Sequence, residues 1–83
     1  MITEILKRDG EYKKFQSFKI EDAIKKAFKS SHTTYDPSVF FNVLQLLETK
    51  RVIAVEDVQD FIEQELYKAR YFDLMKSFML YRH

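Results

Sequence analysis

Fourteen Lys+Arg against thirteen Asp+Glu in 83 residues leave a net charge of +1, so charge alone does not draw the whole chain to nucleic acid. The absence of cysteine excludes disulfides and thiolate metal sites and agrees with a reducing cytoplasm, while a 46% apolar and 16% aromatic share supports a packed core over disorder. One Gly and one Pro exclude a Gly-rich phosphate loop and a turn-dense β-sandwich, so any phosphate bound here is gripped mainly by side chains.

Residues 2–7 mix apolar and polar side chains and predict a short strand, with adjacent Ile5 and Leu6 on opposite faces. Asp9-Gly10 is a preferred pair for a two-residue hairpin loop with φ > 0 at both positions, which returns Tyr12–Phe15 as a second strand. Ser17 suits an N-cap for a helix over 18–30, whose apolar stripe is Ile20, Ala23, Ile24, Ala27 and Phe28. Residues 30–35 are polar loop.

Asp36-Pro37 opens a second helix, Asp as cap and Pro at the first helical position. Its apolar set, Val39, Phe40, Val43, Leu44 and Leu47 widened by Phe41 and Leu46, marks it as central. The β-branched run 51–55 predicts a third strand beside the hairpin. Glu56 and Asp57 suit the positive end of a third helix, with a stripe of Val58, Phe61, Ile62, Leu66 and Ala69. A break near Arg70 or Tyr71 precedes a last helix carrying Phe72, Met75, Phe78 and Met79. The expected fold is α+β and mostly α: a single domain over 1–83, a four-helix bundle capped by a small three-stranded sheet that contains the N-terminal hairpin. No apolar run approaches the ~20 residues that span a bilayer, and Met1-Ile2-Thr3-Glu4 lacks a signal-peptide pattern. The expectation is a cytoplasmic protein with no membrane partner.

Catalysis finds little footing. His32 and His83 lie far apart, with no carboxylate at metal-ligand spacing, so neither catalytic nor metal residues are assigned. Asp57, Asp60, Glu63 and Glu65 read as solvated helix surface. The charge, however, is unevenly placed. Residues 1–29 hold eight basic and five acidic residues (+3), and residues 30–83 hold six and eight (−2). Lys25, Lys26 and Lys29 read as the outer face of a helix. Lys7, Arg8 and Lys19 admit two readings. Glu21 and Asp22 offset Lys19, which fits a structural role. Alternatively, three cations beside a hairpin turn and a helix N-terminus suit a polyphosphate.

Ile5-Leu6-Lys7-Arg8-Asp9-Gly10, Phe15 and Lys19-Ile20 resemble the opening of the ATP-cone domain family. Val55-Glu56-Asp57-Val58-Gln59 resembles the family's third-helix motif, and Tyr71–Phe78 with Leu80-Tyr81-Arg82-His83 its closing helix, closest to the anaerobic reductase branch. The likeness covers residues 2–83 in order. It implies a non-catalytic allosteric module that binds ATP or dATP, with Mg²⁺, and regulates the overall activity of a ribonucleotide reductase.

Carried over by position, the resemblance assigns Lys7, Arg8, Lys19 and His83 to the phosphates. It assigns Ile5, Gln16, Ile20, Ile53, Val55 and Val58 to adenine and ribose. Val55 stands where many members have Thr or Ser, and Gln16 where a shorter Asn or Asp is common. The implied partners are the adenine nucleotide and the rest of the reductase or its partner subunit, with oligomerisation that depends on nucleotide. Nucleic acid is not among them: the family's transcriptional repressor needs a cysteine zinc ribbon, which this chain lacks. The alternative is a relic of the domain that has lost its ligand and serves as a protein-interaction or oligomerisation module, docking through aromatics such as Phe41, Tyr67, Tyr71 and Tyr81.

Overall fold

The computed structural model describes residues 2–81. Its elements run β1 (Glu4–Leu6), β2 (Tyr12–Lys14), α1 (Ser17–Ser30), α2 (Pro37–Leu47), β3 (Val52–Ala54), α3 (Val55–Lys68) and α4 (Phe72–Tyr81), the expected β-β-α-α-β-α-α order. β1 is central in the sheet order β2-β1-β3. It pairs antiparallel with β2, Ile5 opposite Lys13, and parallel with β3, Ile5 opposite Ile53. A parallel neighbour needs a long crossover, and here β2, α1 and α2 supply it.

The hairpin turn differs from the two-residue loop expected. Arg8-Asp9-Gly10 forms a three-residue loop, closed by Lys7 N–H to the Glu11 carbonyl (2.8 Å) and Gly10 N–H to the Lys7 carbonyl (3.0 Å). Of the three, Gly10 alone has positive φ, at 87°, as in a tight turn followed by one left-handed residue. The Asp9 carboxylate accepts from Glu11 N–H at 2.9 Å, which steadies the turn.

Ser17, expected as a cap, is the first helical residue of α1. The cap is Gln16, extended and without a capping side-chain bond. Asp36 does cap α2, accepting from Ser38 N–H at 3.0 Å, with Pro37 inside the first turn. β3 ends at Ala54, and Val55, expected in the strand, begins α3 instead.

The chain's one glycine lies in the hairpin, and two helices, α1 and α3, end in left-handed caps built from other residues. Beyond α1, His32 (φ 54°) donates to the Lys29 carbonyl and Thr33 N–H to the Phe28 carbonyl. Beyond α3, Arg70 (φ 64°) and Tyr71 donate in the same way to Tyr67 and Leu66. Both are left-handed caps that satisfy the last free carbonyls.

Each helix packs on two others, α1 and α3 each contacting α2 and α4. Ile24, Phe28, Val39, Val43, Leu47, Ile62 and Leu66 fill the space between them and are almost wholly buried. Each such side chain contributes ~1.5–3 kcal/mol relative to exposure, most of it offset by lost chain entropy.

Four expected core positions are corrected. In α4 the buried residues are Leu74 and Phe78, with Met75 half-buried, while Phe72 and Met79 are exposed. Ala69 caps α3 and is exposed, and Phe41 faces solvent. Conversely Glu65, expected at the surface, is only 6% exposed, with Lys68 Nζ 3.2 Å from its carboxylate. It lies three residues beyond Ile62 and so shares that residue's buried side of α3. No helix among the described residues is long and apolar enough to cross a membrane.

Candidate functional site

One large cleft opens between the hairpin and the adjoining sides of α1 and α3, with a volume of about 1140 Å³. That is just above the ~300–1,000 Å³ of drug-sized ligand sites. Its floor is apolar: Ile20, Val58, Ile62 and Phe78 are buried there, with Ile5 and Ala23 half-buried beside them. Its rim is basic. Lys7 and Arg8 come from the end of β1 and its loop, Lys13 and Lys14 from β2, and Lys19 from the first turn of α1, all solvent-accessible. Among the described residues that line the cleft, Asp9 is the one acid.

Alternation in β1 explains why the floor and the reverse side differ. Ile5 points into this cleft, and Leu6 lines a smaller cavity of about 470 Å³ across the sheet, with Lys50, Val52, Asp57 and Phe61.

Two helix N-termini border the cleft, through Gln16 and Lys19 of α1 and Val55 of α3. They are electrostatically different. Glu56 and Asp57 already answer the positive end of α3, whereas α1 has no acid in its first turn and no side-chain cap. The exposed amides and Lys19 together leave the α1 end positive.

Of the site residues expected from sequence, the structure brings Lys7, Arg8, Lys19, Ile5, Gln16, Ile20, Val55 and Val58 into this single cleft. Ile53 stands opposite Ile5 on the same face of the sheet but is buried in the core and does not line the cleft, bordering the smaller cavity instead. His83 lies outside the described residues. Lys13, Lys14, Ala23, Gln59, Ile62 and Phe78 join the cleft without having been anticipated. The hairpin register gives the signal for Lys13, which stands opposite Ile5 and therefore on the same face. Gln59 follows from helical spacing, one turn beyond Val55.

Arg8 is already engaged across the cleft mouth, its Nε donating to Glu56 and its Nη2 to Gln59 Oε1 at 3.3 Å. Lys13 pairs with Glu11 at 3.4 Å. Among the described residues no three His, Asp or Glu side chains converge to hold a metal. An apolar floor beneath a cationic rim can take a flat hydrophobic ring and a polyanion together, and among the described residues of the cleft none forms a nucleophile–base pair.

An α+β domain with this cleft has the build of a small-molecule binding module. The chain belongs to the ATP-cone family: the ATP cone domain matches residues 3–83. Similar sequences occur in the ribonucleoside-diphosphate reductase subunit alpha of Chlamydia pneumoniae, 31% identical over 94 aligned positions, covering 98% of this chain and 9% of that protein. The subunit of the same name from Treponema pallidum is 37% identical over 89, covering 94% and 10%. The vitamin B12-dependent ribonucleoside-diphosphate reductase of Thermoplasma acidophilum is 36% identical over 90, covering 99% and 12%. The chain thus spans about a tenth of the length of these curated relatives.

Proposed function

We propose that this chain is a non-catalytic regulatory module that binds an adenine nucleotide, ATP or dATP, and controls the overall activity of a ribonucleotide reductase to which it belongs or attaches. The observation that carries the reading is one cleft combining Lys7, Arg8 and Lys19 on its rim with Ile5, Ile20 and Val58 toward its floor. The adenine lies against the apolar residues, and the phosphates reach the rim cations and the amides of α1. Lys13 and Lys14 extend the same basic edge. Gln16, at the cap of α1, stands between the two regions and suits the ribose. Mg²⁺ arrives with the nucleotide, held by its phosphate oxygens, as that ion is commonly held by substrate phosphates.

Family membership and the names of the similar proteins support the regulatory setting. The responding states belong to the rest of the enzyme, and a useful coupling between two sites is ~1–3 kcal/mol. Isothermal titration of the chain with ATP–Mg²⁺ and dATP–Mg²⁺ tests the proposal. Saturable heat with a one-site or two-site isotherm is expected for both, and no heat up to millimolar nucleotide overturns it.

The alternative interaction module has one observation in its favour. Tyr67 and Phe72 stack edge-on at 5.5 Å while 60% and 47% exposed. Concentration-dependent dimerisation in sedimentation runs, unchanged by nucleotide, would favour that reading.

A further inference from the structure

The contact between Arg8 and Glu56 joins two sides of the cleft. Arg8 sits in the hairpin loop and Glu56 in the first turn of α3, 48 positions apart in the chain. Gln59, three residues beyond Glu56 on the same side of the helix, accepts the second bond from the guanidinium and itself lines the cleft. Both Arg8 and Glu56 are about half exposed, so the pair adds little to folding. Its geometry nevertheless matters for ligands. A guanidinium grips a phosphate with the same forked N–H groups that here reach Glu56 and Gln59. Among the described residues, Lys7, Lys14 and Lys19 form no ion pair, and Lys13 pairs only within its own hairpin. Arg8 is the rim cation whose charge is claimed by another element.

We infer that Glu56 is an affinity-setting residue of this cleft: an internal carboxylate that competes with ligand phosphate for Arg8. The inference rests on the nucleotide reading above. A phosphate that takes Arg8 takes it from Glu56, and the exchange also breaks the tie between the hairpin loop and α3. The displaced carboxylate stays favourably placed at the positive end of α3. A ligand without phosphate makes no exchange and is indifferent to Glu56.

The test titrates ATP–Mg²⁺, tripolyphosphate and adenosine into the full chain, Glu56→Gln and Glu48→Gln. Glu48 is an exposed acid at the end of α2, away from the cleft, and controls for net charge. Glu56→Gln is expected to bind ATP and tripolyphosphate about two- to fivefold tighter, the range of an exposed charge pair. Adenosine binding should not change, and Glu48→Gln should match the parent. If the parent binds ATP and Glu56→Gln binds it no tighter, the competition is overturned while the nucleotide site stands. Equal tightening by Glu48→Gln also overturns it. If neither parent nor Glu56→Gln binds ATP, both readings fall. A second measurement does not depend on the variant's stability. The ¹⁵N-edited resonance of the Arg8 Nε–H in the parent should move as ATP saturates the cleft, and a resonance that stays in place at saturation overturns the exchange.

Discussion

The Tyr71 hydroxyl donates to Asp36 Oδ2 at 2.9 Å, joining the α3–α4 junction to the N-terminus of α2. The other oxygen of the same carboxylate accepts from Ser38 N–H at 3.0 Å and from its hydroxyl at 2.7 Å. Tyr71 also meets Phe28 edge-on at 5.1 Å, and Phe28 meets Tyr35 at 5.6 Å. One acid thus serves as a helix cap and as an anchor for an aromatic cluster. Tyr71→Phe keeps the ring and loses the bond, so it should cost ~1 kcal/mol. Asp36→Ala removes the cap as well and should cost more, ~1–2 kcal/mol for the cap alone. In a domain of this size each ~1 kcal/mol lowers Tm by roughly 4–8 °C. Thermal unfolding checks both, and an Asp36→Ala Tm equal to the parent's contradicts the assignment.

The same carboxylate sets an acid limit on stability. Bonds from the Ser38 hydroxyl, the Ser38 N–H and Tyr71 hold the Asp36 pKa below its ordinary value, against a smaller opposing effect of burial. A depressed folded-state pKa contributes stability above the unfolded value, and that stability is lost as pH falls through the folded one. The destabilisation caused by Asp36→Asn should therefore shrink below about pH 4, where the unfolded carboxyl protonates. Tyr71 is raised above 10 chiefly by its bond to Asp36, and Tyr35 chiefly by burial with Glu21 adding to it. Their contribution is complete below about pH 10 and is lost as pH rises through the folded values. Denaturant midpoints across pH 2–11 should show a plateau that falls at both ends. A constant penalty for Asp36→Asn down to pH 2 contradicts the acid limb.

Backbone conformation makes opposite predictions at three positions. Gly10 has φ of +87°, and a Cβ there would meet nothing within 4 Å, so the cost of Gly10→Ala is conformational alone. It should be ~1–2 kcal/mol. His32 and Arg70 pay the converse cost in their left-handed caps. His32→Gly and Arg70→Gly should each stabilise by ~0.5–1 kcal/mol once the greater freedom of glycine in the unfolded chain is counted. Urea unfolding of the three variants decides it, and destabilisation by both glycine substitutions contradicts the cap assignment.

Much of this fold was legible because its signals are local and redundant. Asp36-Pro37 announces α2, and the stripes of Ile20, Ile24 and Phe28 and of Val58, Ile62 and Leu66 repeat at helical spacing. The α4 face was not legible: apolar residues at 72, 74, 75, 78, 79 and 80 surround that short helix, so periodicity selects no side. Packing of α4 on α1 and α3 makes the choice, in favour of Leu74 and Phe78. The Asp-Gly pair signalled a turn without its length, because a three-residue loop uses the same glycine. In the cleft, Lys7, Arg8 and Lys19 came forward through their motif. Lys13 looks like an ordinary strand charge until the hairpin register sets it opposite Ile5, whereas Lys14 is paired with Glu4 and no register signal brings it to the cleft.

The rim cations should separate from the outer lysines by function. Lys7→Ala and Lys19→Ala each remove a phosphate contact and should weaken ATP binding by roughly tenfold or more, the ~1.5–3 kcal/mol of a charged hydrogen bond. Lys25 pairs with Glu21 at 3.9 Å, lies 5.4 Å from the Tyr35 ring centroid, and does not line the cleft. Lys25→Ala should leave ATP affinity within twofold and lower stability by at most ~1 kcal/mol. Calorimetry of the three variants checks the ranking. Binding as tight in Lys7→Ala and Lys19→Ala as in the parent contradicts the phosphate assignment.

The most direct test of the nucleotide cleft is backbone amide NMR of the ¹⁵N-labelled chain during titration with ATP–Mg²⁺. Shifts should concentrate at Ile5, Lys7, Arg8, Gln16, Lys19, Ile20 and Val58, while Lys50, Val52 and Phe61 around the smaller cavity stay near their starting positions. Shifts centred on that smaller cavity, or a spectrum unchanged at millimolar nucleotide, would contradict the account.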